Sequence, residues 1–330
     1  VLNVAFYPNE KGPYIFTTAI DDNGFLLNPE RRWGGIMREI QTNDFETSNV
    51  EFIEFWLMDP FVEDPGHAGG DLYFNLGDIS EDILSDSRKA FENGLPSTAE
   101  VTLVDTTVWG RVPITQSLVN AFNNDLESRQ YQDIGLDGLS DADEASFFVD
   151  YLDSIRNQYG ENSAAYQAAL DDISKDNFHY FRGTDYDQAE VGILDRYRDY
   201  NGLEGNSPTS EMSDEDYPTT GSTLPNVEDI NRDNTLSDKE KYYEYHVSLK
   251  PNDMVVGKNY ITDMVSKTSD FPNGEKSTVN WYQFRIPIQD WEKSYGGIQD
   301  FKSIRFMRMF LNGFEETVIL RFAKLDLVRG

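Results

Sequence analysis

Alternation of apolar and polar residues near the two ends of the chain constrains the fold most strongly. Residues 50–58 alternate over much of their length, and similar runs return close to the C-terminus. Such runs, rich in aromatic and branched side chains and separated by turns, are typical of antiparallel strands with one buried face. No strand-helix-strand alternation connects them, which disfavours a parallel α/β fold. The runs span residues 36–40, 50–58, 71–76, 243–249, 281–286, 304–310 and 318–325.

We therefore predict a mostly-β fold, a jelly-roll-like antiparallel β-sandwich with a large helical and irregular insertion. Residues 1–79 and 241–330 would form the sandwich, and residues 80–240 would form the insertion. Within the insertion, apolar residues at helical spacing predict a helix over residues 148–159, and Ser163 is a capping residue for the next one.

Capping chemistry predicts further short elements in the insertion. Ser80 is expected to begin a helix that ends near Gly94, and Pro113 is expected to begin another. Residues 200–223, rich in Asn, Gly, Ser, Thr, Pro and acids, are predicted to form an exposed loop.

Two loops in the insertion have the composition of calcium sites. A hard cation needs several oxygens converging on one point, and a twelve-residue loop supplies them from alternate positions and from its last residue. The second loop, residues 229–240, fits this pattern except that Asn234 replaces the turn glycine. Asn tolerates the left-handed backbone that this turn requires. The predicted ligands are Asp229, Asn231, Asp233, the Thr235 carbonyl, Ser237 and Glu240.

The first loop, residues 133–144, has Gly138 in the turn position. Its third position is Gly135, which offers no side chain, so we expect this loop to bind calcium more weakly. An acidic chain also produces such strings by accident, and that interpretation stays open for both loops. The predicted ligands are Asp133, Asp137, the Leu139 carbonyl, Asp141 and Glu144.

The strongly negative net charge limits which classes of partner this chain can bind. Its 330 residues include 59 acidic and 28 basic side chains, a net charge of −31. A surface this negative repels nucleic acid phosphates and anionic lipids, so we exclude both as direct partners. Bound calcium would relieve the repulsion locally, and the free ion is plentiful outside the cytosol. There is no cysteine, and no apolar run approaches the ~20 residues of a membrane-spanning helix.

Enzymatic motifs are missing from the sequence. There is no P-loop, no G-x-S-x-G elbow and no cysteine nucleophile. With 59 acids, the proximity of two carboxylates in sequence carries no information about a glycosidase. We therefore expect no enzyme activity. The chain begins at Val1 within a strand-like stretch, so we also expect it to be a piece of a longer protein.

Aromatic residues leave a second interpretation open, a carbohydrate-binding β-sandwich module of a cell-surface protein. Trp33, Trp109 and Trp291 lie near turns, where an exposed ring can stack on a sugar. Trp56 and Trp281 lie inside strongly apolar strands and are predicted to belong to the core.

Several strings resemble the SprA/Sov family, very large outer-membrane proteins of Bacteroidetes that form the translocon of the type IX secretion system and are needed for gliding motility. The similarity extends over nearly the whole chain. The strings are residues 33–38, 54–61, 70–77, 135–140, 224–226 and 301–306.

The resemblance implies a large transmembrane barrel that carries soluble domains, of which this chain would be one. It further implies contacts with other parts of the same protein, with type IX secretion components and with secreted cargo, and no catalytic residues. An extracellular position agrees with two calcium loops and an acidic surface, while the periplasmic face stays open.

Overall fold

A computed structural model describes most of the chain and divides it into two compact units. Unit 1 comprises Val1–Glu10, Asn28–Ile79 and Lys239–Gly330, and unit 2 comprises Lys11–Leu27 and Ser80–Asp238. The residues described are 1–84, 86–92, 95–98, 102–115, 118–213, 215–217, 219, 224–225, 228–270 and 274–330.

The described residues form β-strands, α-helices and short 3-10 turns. The strands are β1 (Leu2–Phe6), β2 (Trp33–Glu39), β3 (Val50–Met58), β4 (Gly70–Asp78), β5 (Val104–Thr106), β6 (Arg111–Pro113), β7 (Lys241–Leu249), β8 (Ile261–Asp270), β9 (Lys276–Pro287), β10 (Lys293–Ser294), β11 (Phe306–Asn312) and β12 (Val318–Arg329). The α-helices are α1 (Phe45–Ser48), α2 (Leu126–Arg129), α3 (Asp141–Phe147), α4 (Val149–Tyr159), α5 (Ala164–Asp171) and α6 (Thr184–Gln188). Short 3-10 turns occupy Pro29–Arg31, Asp195–Tyr197 and Pro251–Asp253.

Unit 1 is a sandwich of two antiparallel sheets. One sheet has the strand order β1-β12-β3-β9-β8, and the other has the order β10-β7-β4-β11-β2. Alternate residues of the strands face a shared core, where the ring of Phe55 in β3 lies 5.5 Å from that of Phe74 in β4. Consecutive strands repeatedly change sheet, as in a jelly roll. The predicted mostly-β antiparallel sandwich is confirmed.

Strand predictions from period-two runs agree with the structure at β2, β3, β4, β7, β9, β11 and β12. The edge strand β8 had no such signal, because all of its residues except Ile261 are exposed. The two tryptophans predicted for the core lie instead on the outer face of their sheet. Trp56 and Trp281 are half-buried, in alternation with the buried Phe55 and Tyr282. Both strands have apolar residues on both faces, which the alternation pattern does not resolve.

Unit 2 consists of the helices α2–α6, the β5–β6 hairpin and irregular segments. The predicted helices after residue 148 and after Ser163 are confirmed as α4 and α5, and the Ser163 side chain accepts a hydrogen bond from the Tyr166 N–H. The sequence-based division assigned Lys11–Leu27 to the sandwich. In the structure this segment contributes buried Tyr14 and Ile20 to the hydrophobic clusters of unit 2.

Two predicted helices are wrong over the residues described. Ser80 does not cap a helix, since its hydroxyl donates to the Asp82 and Ser237 carbonyls. Pro113 ends β6, where it pairs with Val104. The predicted helix end at Gly94 and the end of the predicted loop at Thr223 lie outside the described residues. Within the described part of the chain, no helix has both the length and the apolar character required to cross a membrane.

Candidate metal centre

Three buried carboxylates of unit 2 converge on one point. Asp137 lies in the first predicted calcium loop, Glu144 lies in α3, and Asp176 follows α5. Each offers an oxygen atom within 4.8 Å of the oxygens offered by the other two. The three residues are at most 1% exposed. Among the residues described, this is the only group of acidic and histidine side chains that meets such a distance limit.

Ser174 fixes two of these carboxylates. Its hydroxyl donates to Asp137 Oδ2 at 2.5 Å, and its backbone N–H donates to Glu144 Oε2 at 3.1 Å. The other Asp137 oxygen accepts the Leu139 N–H at 3.1 Å. The first loop and the segment after α5 are therefore joined at the carboxylates themselves.

Tyr14 holds the third carboxylate. Its hydroxyl donates to Asp176 Oδ2 at 2.8 Å and accepts the Leu136 N–H at 2.8 Å. The remaining oxygens, Glu144 Oε1 and Asp176 Oδ1, are buried without a hydrogen-bond partner in the described part of the molecule. Buried polar atoms normally have a partner, and an unpartnered charged group is costly, so these two oxygens need a proton, a hydrogen-bond donor or a cation.

Burial also makes the charged form of each of these three carboxylates unfavourable. Burial, with the neighbouring Asp176 charge, raises the pKa of Asp137 well above its usual range. Burial raises the pKa of Asp176 to about 7 and also raises the pKa of Glu144. The nearby Lys11 ammonium donates to the Ile173 carbonyl, and burial lowers its pKa to about 8. Three negative charges in such a site need either protons or a cation.

The donor set fits a hard divalent cation. Carboxylate oxygens are the ligands that calcium prefers, and its coordination tolerates irregular geometry. The ligand residues are closed off from solvent, as in structural metal sites, whereas catalytic sites keep a coordination position open. Asp137, Glu144 and Asp176 would hold the ion.

The structure does not bring the other predicted ligands of the first loop to this point. Both Asp133 oxygens accept the Ser207 N–H, at 3.0 and 3.2 Å. The Asp141 carboxylate accepts from the Asn177 amide at 3.2 and 3.3 Å. The role of the Leu139 carbonyl stays a prediction.

Asp176 is the residue that the sequence reasoning missed. It lies beyond the end of the loop, separated from it by two helices, so no loop spacing includes it. Its only sequence signal is membership of a short acidic stretch, residues 171–176, and such stretches are common in this chain.

In the second predicted loop, side-chain oxygens accept hydrogen bonds from backbone N–H groups of the same loop. Asp229 accepts the N–H groups of Asp233 and Asn234, both at 2.9 Å. Asn231 Oδ1 also accepts the Asp233 N–H, at 3.0 Å, and Asp233 in turn accepts the Thr235 N–H at 3.0 Å. Asn234 has the left-handed backbone expected for its turn position, with φ of 63°.

The two ends of the second loop belong to different units. Glu240 is in unit 1, where its carboxylate accepts from both terminal nitrogens of Arg308 at 3.2 and 3.4 Å. In unit 2 the carboxylate of Glu81 accepts the N–H groups of Ile230 and Ser237, at 2.8 and 3.0 Å. Sequence reasoning did not select Glu81, because it lies far upstream of the loop.

A row of rings crosses the outer face of the second sheet. The Phe310 and Tyr73 rings stack at 4.7 Å with an interplanar angle of 7°, and Tyr73 stacks on His246 at 4.9 Å. Their faces contact each other and are not free for a sugar, which counts against sugar stacking on this row. Trp33, which contacts Phe310 edge-on, is 67% exposed, and Trp291 is 40% exposed.

Fold and site together define a mostly-β sandwich protein with a buried carboxylate centre in a second, largely helical and irregular unit. A family model described as SprA_N, motility related/secretion protein, matches residues 150–330. Because the match covers more than half of the chain, the chain belongs to this family, and the resemblance seen in the sequence is confirmed. A search of curated proteins found no match. The matched part contains Asp176, α5 and the strands from β7 to β12.

Proposed function

We propose that this chain is a non-catalytic structural domain of a large outer-membrane protein translocon, serving type IX protein secretion and gliding motility and stabilised by calcium. The observation that carries the calcium part is the convergence of Asp137, Glu144 and Asp176 in a buried site. Membership of a motility and secretion family supports the role in transport. Secreted cargo, other secretion components and the rest of the same protein would be its partners.

Several observations support a structural role for the ion. The carboxylates are closed to solvent, and Ser174 and Tyr14 tie three separate segments to them. An ion that joins segments distant in sequence stabilises the folded state without contacting a substrate. The net charge of −31 and two loops of calcium-binding composition agree with an extracellular position, where calcium is abundant.

Fractionation of native cells tests the role in a translocon. An antibody raised against this chain is expected to detect a band several times heavier than the 330-residue chain in the outer-membrane fraction. Protease added to intact cells should degrade the epitope if the domain faces outward, whereas protection would indicate the periplasmic face. A soluble or secreted band near the size of the chain itself would reject the proposal.

Thermal unfolding tests the calcium part. An ion bound only by the folded state stabilises it by about 2.7 kcal/mol per site at 100-fold excess over its dissociation constant. We therefore expect a higher Tm in calcium than in chelator. If the second loop also binds calcium, as its composition predicts, hydrogen exchange over residues 228–245 should be faster in chelator as well. Identical melting curves in the two conditions would contradict calcium binding, and Glu240→Gln, if indistinguishable from wild type, would exclude Glu240 as a ligand.

A further inference from the structure

Strand β1 covers only the first part of one edge of β12 in unit 1. It pairs with residues 318–322, whereas residues 324–329 pair with β3 on one side and with no described strand on the other. A β-bulge between Phe322 and Lys324 marks the point where this cover ends, and such bulges are common at sheet edges and beside functional sites. The backbone N–H and C=O groups that face away from β3 can therefore pair with another strand.

An opening lies beside this uncovered edge, between β12 and β2. Its volume is about 570 Å³, and ligand sites usually have roughly 300–1,000 Å³. Its lining is largely apolar and includes Met307 and Met309 of β11 and Leu325 of β12. Methionine side chains adapt to different apolar partners, which suits a surface that packs against another chain.

Strand β2 extends past the part of the sandwich that β1 covers. A Cβ placed on Gly34 would lie 3.0 Å from the Phe6 ring of β1, so β1 lies over Gly34. Ile36 and Arg38 follow on the same face of β2, because residues two apart in a strand project to the same side. Both line the opening, and Ile36 is 46% exposed although it faces the other sheet.

Arg38 gives the opening a preference for a negatively charged group. Its side chain is exposed and makes no ion pair among the residues described. The other basic side chain at the opening, Lys324, lies 3.1 Å from the Glu54 carboxylate and 3.6 Å from that of Asp326. Arg38 is thus left to pair with a carboxylate that an occupant brings, and hydrogen bonds between arginine and carboxylate are among the stronger ones.

We propose that the opening between β2 and β12 binds an extended segment of a partner polypeptide, which adds a strand to β12, antiparallel to it as β1 is. Apolar side chains at alternate positions of that segment pack on Ile36 and Met309, and an acidic side chain pairs with Arg38. In this mode of recognition the main-chain hydrogen bonds supply affinity, and the contacts of alternate side chains supply specificity. All residues that line the opening belong to unit 1, so failure of strand binding would leave the calcium centre of unit 2 unaffected.

A labelled peptide tests the proposal. The probe is fluorescein-labelled Thr-Val-Lys-Ile-Thr-Glu with an amidated C-terminus, whose Val, Ile and Glu side chains share one face of a strand. Fluorescence anisotropy is expected to show saturable binding to the wild-type chain. Arg38→Glu should weaken the binding about tenfold or more, because one charge-assisted hydrogen bond is lost. The matched control Arg321→Glu, at an exposed position where β1 covers β12, should bind like wild type.

Reversing both charges separates the ion pair from a general effect on the fold. A probe with Lys in place of Glu should bind to Arg38→Glu more tightly than to wild type. Hydrogen exchange over residues 323–328 should slow when the original probe binds, because a paired strand protects these backbone N–H groups and a molecule bound to side chains alone does not. Ile36→Lys places a charge among the apolar side chains and should also weaken binding, and it decides if Arg38→Glu does not fold.

Absence of saturable binding, equal binding by wild type and Arg38→Glu, or unchanged exchange over residues 323–328 would each overturn the proposal. A wild-type dimer in light scattering that is lost in Ile36→Lys would instead assign the opening to a second copy of the chain. The protein isolated from cells at its native length is tested with the same probe. If it does not bind the probe although the 330-residue chain does, the protein's own residues occupy the opening and binding of a partner is rejected.

Discussion

Asp176 shows how one residue outside a loop completes a site that the loop begins. Spacing within residues 133–144 includes Asp137 and Glu144, and the structure places the oxygens of both beside those of Asp176. Asp133 and Asp141 also occupy ligand positions of the loop pattern. Their oxygens instead accept hydrogen bonds from Ser207 and Asn177.

Replacing Asp176 with Asn tests this centre at the scale of one residue. The amide keeps the size of the side chain and one oxygen but removes the charge that calcium requires. We expect calcium affinity at this centre to fall at least tenfold, about 1.4 kcal/mol, and the rise in Tm produced by calcium to shrink accordingly. Isothermal titration with calcium and melting curves measure both effects.

The neighbouring Asp171→Asn is the matched control for that substitution, because Asp171 is exposed at the end of α5. It removes the same charge from the same segment, so it separates ligation from a general change in electrostatics. Equal calcium affinity in Asp176→Asn and Asp171→Asn would remove Asp176 from the site.

At the scale of elements, the strands with one buried face were predictable and the irregular segments were not. In β3 the side chains of Ile53, Phe55 and Leu57 are fully buried in strict alternation, which is the signal that the sequence carried. The segment after Ser80 has capping residues but no helix over its described part, since the Glu81 carboxylate accepts the N–H groups of Ile230 and Ser237, about 150 residues away in sequence. Local propensity there yields to long-range hydrogen bonds.

Phe55→Ala tests the sandwich core. The Phe55 ring contacts those of Phe284 at 4.6 Å and Phe322 at 5.7 Å, so three strands meet at this side chain. Loss of a buried phenylalanine of this kind costs about 3–5 kcal/mol. Urea unfolding followed by near-ultraviolet circular dichroism should show an earlier transition by that amount. Ile36→Ala, at a 46% exposed position of β2, should change it little, and equal effects of the two substitutions would contradict the assigned core.

At the scale of the whole molecule, charge is the dominant property. The chain has 59 acidic and 28 basic residues, but not all of the acidic side chains are exposed, because several carboxylates of unit 2 are buried. Composition predicts charge repulsion, which bound divalent cations would relieve locally. It did not predict which acids are buried, because that depends on how Lys11–Leu27 and the segments around α5 pack in unit 2.

Buried acids also predict how the metal-free protein responds to pH. Burial raises the pKa of Asp133 to about 7 and that of Glu204 to about 9, whereas both groups titrate near 4 in an unfolded chain. The folded state therefore binds protons more tightly than the unfolded state does. The resulting stabilisation is complete below about pH 4 and is lost as the pH rises through 7 and then 9.

In chelator, the free energy of unfolding should consequently fall between pH 6 and pH 9, with one pKa unit corresponding to about 1.36 kcal/mol. Calcium should flatten this dependence, because a bound cation replaces the protons in compensating the acids of unit 2. Melting curves at pH 6, 7.5 and 9, with chelator and with calcium, measure both slopes. A metal-free protein that is more stable at pH 9 than at pH 6 would show that the buried acids are compensated within the chain, and the requirement for cations would then be wrong.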